Sequence, residues 1–205
     1  MPKKATKPKA RRKSNKGSPF EREIARKLSL WWSDGQADDW FWRTAGSGGR
    51  ATNRAKSGKS TANGGGDICA QTKEAQNLLD KVTFELKRGY NTATISDLLD
   101  NNGGVMGKFI EQARRSASLA GTPYWAVIHK RDRREALLIT NWATLMLGVI
   151  NEGGGRIASY RLRQERDEYI YVTELEKTLV GDTRARILRT IVEENSEAQD
   201  AVSGS

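Results

Sequence analysis

The segment Thr83-Phe84-Glu85-Leu86-Lys87 alternates apolar and charged side chains. A period of two is the signature of a strand with one face in a core and the other outside it. Phe84 and Leu86 share the first face, and Glu85 and Lys87 share the second. Upstream, a glycine run ends at a lone acid, Gly64-Gly65-Gly66-Asp67-Ile68. An acid and a lysine on one strand face, with a second acid nearby, can hold a divalent metal and activate a water, which is nuclease chemistry. Alternating charge on a solvated strand face explains Glu85 and Lys87 as well, so the local pattern leaves both readings open.

Charge is segregated along the chain. Its net value is +10, and residues 1–17 carry eight bases with no acid. Gly49 to Gly66 adds Arg50, Arg54, Lys56 and Lys59, again with no acid. The rest is close to neutral. Basic arms of this kind suit a polyanion, because neutralising phosphates releases counterions. DNA is therefore the expected partner, and a solubilising or targeting tail is the plainer alternative. One cysteine, Cys69, and one histidine, His129, exclude a disulfide framework and a Cys/His zinc site. Nucleases built on a histidine pair go with them. The basic N-terminus lacks the apolar run of a signal peptide, and no stretch approaches a membrane span. A soluble, cytoplasmic protein with no membrane partner is expected.

Residues 1–17 read as a disordered basic tail. Ser18-Pro19-Phe20-Glu21 has the form of a capping box with proline at the first helical position. Phe20, Ile24, Leu28 and Trp31 follow at helical spacing, to about Ser33. Trp40 to Arg43 reads as a short strand, and 46–66 as a long basic loop. Asp67–Gln71 and Val82–Lys87 read as strands joined by a hairpin-like connection, Thr72 to Lys81. Helices are expected at Thr94–Asp100 and Val105–Leu119, the second with Phe109, Ile110, Ala113 and Ala117 inward and Arg114 and Arg115 outward. Strands follow at Tyr124–His129 and Ala136–Thr140, separated by a charged turn, Arg131-Asp132-Arg133-Arg134. Trp142–Ile150 reads as helical. Strand candidates stand near Ile157–Leu162 and Tyr169–Val172, and a helix runs from Thr173 to about Val192. The order is that of a mixed α/β protein. Trp142, Leu145 and Met146 form one candidate for an exposed partner surface. The tryptophans are expected mainly in the core and interfaces, and His129 is expected to be structural.

Magnesium prefers oxygen ligands and keeps several waters. Asp67 and Glu85 can anchor it if their strands are adjacent, with the backbone carbonyl of Leu86 as a third ligand. Lys87 would then face the attacking water or the scissile phosphate and offset developing charge. Ser57-Gly58-Lys59-Ser60-Thr61 looks like the end of a phosphate-binding loop, but that motif needs a glycine where this chain has Asn53. No nucleotide cofactor is expected. Gln112 could touch the site, and a polar helix face explains it equally well.

Lys16-Gly17-Ser18-Pro19-Phe20-Glu21-Arg22-Glu23-Ile24 resembles the opening of the archaeal-type Holliday junction resolvases, members of the PD-(D/E)XK nuclease superfamily. Trp42-Arg43-Thr44-Ala45-Gly46-Ser47-Gly48 is similar to their next motif, and Gly66-Asp67-Ile68 and Phe84-Glu85-Leu86-Lys87 are similar to the third and fourth. The four occur in the family's order over roughly residues 16–90. The resemblance implies a restriction-endonuclease-like core, a central mixed β-sheet flanked by helices, over residues 18–172. Residues 173–205 would then be a helical extension with a polar tail. It implies Glu21 as a further acid facing the metal, with Arg22 beside it and Glu23 as the alternative. Arg43 would contact phosphate near Ser47, and Asp67, Glu85 and Lys87 would keep the roles given above. The loop bases Arg50, Arg54, Lys56 and Lys59, read from the sequence rather than from the resemblance, would grip DNA next to the site or set a different substrate preference. The implied activity is Mg²⁺-dependent cleavage of four-way or branched DNA, with Mn²⁺ as a substitute. A symmetric homodimer would act, leaving 5′-phosphate and 3′-hydroxyl ends. Such a protein would be nucleoid-associated, or sit in the host cytoplasm if phage-encoded. A less selective nickase of phage genome processing or restriction, and a non-catalytic DNA-binding protein, are the alternatives. The loop after Ser47 is longer and more basic than the family's turn, and the chain continues beyond the minimal nuclease.

Overall fold

The computed structural model of the chain describes residues 17–44, 65–100, 103–145, 158–162 and 168–203. The elements begin with α1 (Gly17–Trp32), β1 (Phe41–Arg43), β2 (Ile68–Ala70), α2 (Lys73–Leu79) and β3 (Val82–Arg88). A 3₁₀ turn (Ile95–Leu98) leads to α3 (Gly104–Ala120), β4 (Tyr124–Lys130) and β5 (Ala136–Thr140). The chain then forms β6 (Ala158–Leu162), β7 (Glu168–Glu174), α4 (Leu175–Thr178) and α5 (Gly181–Ser203).

Five strands make one sheet in the order β3-β4-β5-β7-β6. β3 and β4 are parallel, and the other pairings are antiparallel. This is the α/β architecture expected from the sequence, a mixed sheet with helices on both sides. On one side Phe84, Leu86, Ala126 and Ile128 pack with Phe20, Ile24 and Leu28 of α1. On the other, Trp125 and Val127 pack with Met106, Phe109, Ile110 and Ala113 of α3. β4 is covered on both faces, which is why its sequence is an almost unbroken apolar run. β1 and β2 pair separately as a two-stranded ribbon. At the far end α5 returns to α1, with Ile187 and Ile191 in the same core. Trp31 Nε1 donates to the Val180 carbonyl at 2.9 Å, and Arg184 Nε donates to the Trp32 carbonyl at 2.7 Å. Among the described residues no helix is long and apolar enough to cross a membrane.

Several local expectations are corrected. The stretch between β2 and β3 is a helix, not a hairpin connection. Thr72 caps it by accepting from the Ala75 N–H at 3.1 Å, and Ala75 and Leu78 are buried one turn apart. The segment after Thr94 forms only a 3₁₀ turn, Ile95–Leu98. Thr173 lies in a strand rather than starting a helix, because β7 continues to Glu174 against β5. Ser18 lies inside α1, where its hydroxyl accepts from the Arg22 and Arg43 guanidinium groups, so Glu21 is not held by a capping box. The Trp142 and Leu145 surface is absent, since both side chains are 2% exposed. Trp142 stacks on Tyr124 with centroids 4.9 Å apart, while Met146 lies outside the described residues. Trp42, half exposed, departs from the expected interior placement of the tryptophans. Arg114 is only partly outward, its guanidinium 5.8 Å from the Trp125 ring centroid. Residues 1–16 and the loop residues Ser47, Arg50, Arg54, Lys56 and Lys59 lie outside the described residues.

Candidate active site

β3 is an edge strand of the five-stranded sheet, so one row of its backbone groups needs partners from elsewhere. Asp67 supplies two. Its N–H donates to the Phe84 carbonyl at 2.8 Å, and its Oδ2 accepts from the Leu86 N–H at 2.8 Å. A hydrogen bond to a charged group contributes about 1.5–3 kcal/mol. The N–H and carbonyl of one strand residue point to the same side, so the Leu86 carbonyl also projects toward Asp67. Gly66 permits this close approach. Its φ is +85°, and a Cβ there would overlap the Phe84 carbonyl oxygen and stand 2.8 Å from Thr83 Cγ2. The glycine run thus seats the acid against the strand edge.

Glu85 is 3% exposed, and both of its carboxylate oxygens are engaged. Ser116 Oγ donates to Oε1 at 2.6 Å, Gln112 Nε2 donates to Oε2 at 2.8 Å, and Lys87 Nζ reaches Oε2 at 2.9 Å. Burial and then the nearby Asp67 charge raise its pKa, opposed by Lys87 and by the Ser116 hydrogen bond. Lys87 has its ammonium 5.8 Å from the centroid of the Phe109 ring. The period-two reading of this strand therefore places Glu85 and Lys87 together, in a cleft roofed by α3 rather than on an open face.

Glu21 comes in from α1. Arg43 Nη1 donates to its Oε2 at 3.2 Å. Burial raises its pKa first and Asp67 second, while Arg43, Arg22 and Lys87 pull it down. Glu21 thus shares its surroundings with Asp67 and Lys87. The alternative acid, Glu23, turns away to Lys130 at 3.3 Å and Lys27 at 3.4 Å. Arg22 is exposed, its Nη1 3.0 Å from the Ser18 hydroxyl. His129 is buried with Nε2 unpartnered among the described residues, and burial lowers its pKa. Ser116 is the residue that the sequence reading missed. Gln112 and Ser116 occupy the same stripe of α3 as Phe109, Ala113 and Ala117, at spacings of three and four. Polar residues interrupting an apolar stripe were the available signal.

The donor set fits a hard divalent cation. Two carboxylates, a backbone carbonyl and a third acid nearby are all oxygen ligands. Asp67 raises the pKa of both glutamates, so the cluster holds negative charge that a cation would offset. Among the described residues no three acidic, cysteine or histidine side chains converge at metal-binding distance. A cation would therefore be held by two carboxylates, with the carbonyl, water and substrate completing the shell. A cavity of about 380 Å³ lies toward the other end of β3, lined by Val82, Thr83, Asp80 and Thr122 and by none of the candidate residues.

The shared electrostatics gives a pH prediction for metal-free protein. A carboxyl whose pKa is raised by folding binds its proton more tightly in the native state. Its contribution to stability is fully present below about pH 4.3, the ordinary glutamate value, and is lost as pH rises through the raised value. Asp67→Asn removes a cause of the rise in both Glu21 and Glu85. The thermal midpoint in chelator should fall less between pH 4.5 and 7.5 in the variant than in the wild type. Parallel curves would show that the three acids do not interact.

Residues 12–183 match the model of a family described as phage putative PDDEXK endonuclease. No curated protein and no solved structure matches the chain.

Proposed function

This chain belongs to the family described as phage putative PDDEXK endonuclease, and from that premise we propose that it is a Mg²⁺-dependent, structure-selective DNA endonuclease of the Holliday junction resolvase type. The family makes it a nuclease with DNA as its substrate, and PD-(D/E)XK nucleases generally use divalent metal ions. The observation that carries the reading is the seating of Asp67 against the edge of β3, beside the Glu85–Lys87 pair. Asp67, Glu85 and the Leu86 carbonyl would hold the cation, with Glu21 behind them and Mn²⁺ able to replace Mg²⁺. When bound, such an ion polarises the phosphate and lowers the pKa of a water. Lys87 is placed to orient the nucleophile and to offset charge on the phosphorane oxygens. Gln112 and Ser116 hold the Glu85 carboxylate at a fixed angle. Arg43 would exchange its hold on Glu21 for a substrate phosphate. Hydrolysis would break the bond to the 3′ oxygen, leaving a 5′-phosphate and a 3′-hydroxyl. Two such sites on a symmetric dimer would nick opposed strands of a junction.

The test is cleavage of synthetic four-way junction, flap, nicked and linear duplex DNA, with Mg²⁺ and with chelator. Junction and flap should be cut at least tenfold faster than linear duplex, and only with the metal. The family description names an endonuclease, which a less selective nickase, the second reading, satisfies equally. Equal cutting of all four substrates would establish that second reading instead. Binding with no cleavage of any substrate would point to a DNA-binding protein without catalysis.

A further inference from the structure

The turn between β4 and β5, Arg131-Asp132-Arg133-Arg134, has no role in the site described above. β3 and β4 run parallel with Lys87 opposite His129 and Arg88 opposite Lys130. The turn therefore leaves the sheet at the same end as the proposed catalytic lysine. Arg131 stands two residues past His129, about 7 Å along the strand direction. That is about two steps of a DNA strand at about 3.4 Å each.

The turn is braced from within. Asn91, in the loop after β3, donates from Nδ2 to Asp132 Oδ2 at 3.1 Å and accepts the Asp132 N–H at 2.8 Å. Arg88 lies 3.6 Å from the other Asp132 oxygen. The acid of the turn is thus committed inward. Arg133 and Arg134 are exposed and pair with no acid among the described residues, although Glu135 is exposed beside them. Arg133 also adopts a φ of +59°. That conformation costs a residue with a Cβ roughly 1 kcal/mol or more. The left-handed bend sets the direction in which the side chain leaves the backbone. Tyr90, which follows β3, is half exposed and supported edge-on by Phe109 with centroids 5.0 Å apart.

We infer that Arg133 and Arg134 bind backbone phosphates of the duplex arm adjoining the cleaved bond, so that the β4–β5 turn is a second, pre-braced DNA-binding surface. The inference rests on the nuclease reading and adds a surface that lies outside its motifs. The alternative, an exposed turn that merely aids solubility, makes a different prediction. Binding of a labelled 30-base-pair duplex would be followed by anisotropy from 50 to 300 mM salt, in Ca²⁺ with Lys87→Ala as the parent to prevent cleavage. The double variant Arg133→Gly/Arg134→Gln removes both charges, and its glycine suits the positive φ, so its thermal midpoint should not fall. The slope of log K against log salt should shrink by roughly 1.8, about 0.9 for each phosphate that is no longer neutralised. Lys177→Gln/Arg189→Gln removes the same charge from exposed positions in α4 and α5, and should leave the slope within a few tenths of the parent. An unchanged slope in the turn variant, or an equal change in the control, overturns the inference and leaves the nuclease reading standing if wild type cleaves. Absence of DNA binding and cleavage by the wild type would overturn both.

Discussion

Lys87→Ala should lower single-turnover DNA cleavage by about 10²–10³-fold, the usual effect of deleting one donor that stabilises developing charge. Duplex binding should change little, and the rate is to be read where the variant is still folded, since removing one partner of a buried ion pair also costs stability. The geometry separates these effects. The Lys87 side chain is 11% exposed, and its ammonium sits 2.9 Å from Glu85. Removing it leaves the Glu85 carboxylate with two donors, Ser116 and Gln112, so no buried acceptor becomes orphaned. The two proposed carboxylate ligands survive, and what disappears is a positive charge at the proposed reacting centre. In metal-free protein Lys87 opposes the rise in the Glu85 pKa, so its loss should raise that pKa further. Arginine should not restore activity, since a planar fork cannot occupy the volume of a compact ammonium between Glu85 and Phe109. Cleavage by Lys87→Ala at the wild-type rate would remove the lysine from the mechanism. Loss of rate only under conditions where the variant unfolds would instead assign it a structural role.

The sequence made part of this site legible because strand periodicity is local. Glu85 and Lys87 share a face by counting alone, and residues 124–129 read as a buried strand because an unbroken apolar run has few other fates. What could not be counted was the order of strands. That β3 lies at an edge, with Asp67 satisfying its free backbone groups, depends on where β4 docks, some forty residues later. The connection from Thr72 to Lys81 was misread because a seven-residue helix carries too few apolar positions to outweigh its polar ones. Trp142 failed for a related reason. A short apolar helix can face outward or inward, and only stacking on Tyr124 decides. Glu21 was ambiguous between a local cap and a site acid. The structure resolves its placement because Ser18 gives its hydroxyl to guanidinium donors instead.

Gly66→Ala should cost about 2–4 kcal/mol in stability and lower cleavage at least 10²-fold, although residue 66 carries no functional group. Two penalties coincide at this position. A φ of +85° strains any residue with a Cβ, by roughly 1–3 kcal/mol. The new methyl also overlaps the Phe84 carbonyl oxygen, a backbone atom fixed by the sheet. The chain can relieve the overlap only by moving Gly66 away from β3, which draws Asp67 with it. The hydrogen bonds from Asp67 N–H to Phe84 and from Leu86 N–H to the Asp67 carboxylate would then lengthen or break. A shift of about 1 Å in a positioning element is enough to cost about 10²-fold in rate. Gly35 supplies the control, because it too has positive φ, +79°, but a Cβ there meets nothing within 4 Å. Gly35→Ala should therefore suffer the conformational penalty alone and retain cleavage. The discriminating measurement is the pair of single-turnover rates under conditions where both variants remain folded. Loss in Gly66→Ala with retention in Gly35→Ala assigns the effect to the seating of Asp67, whereas equal rates would mean that the acid can be displaced from the strand edge without consequence for the chemistry.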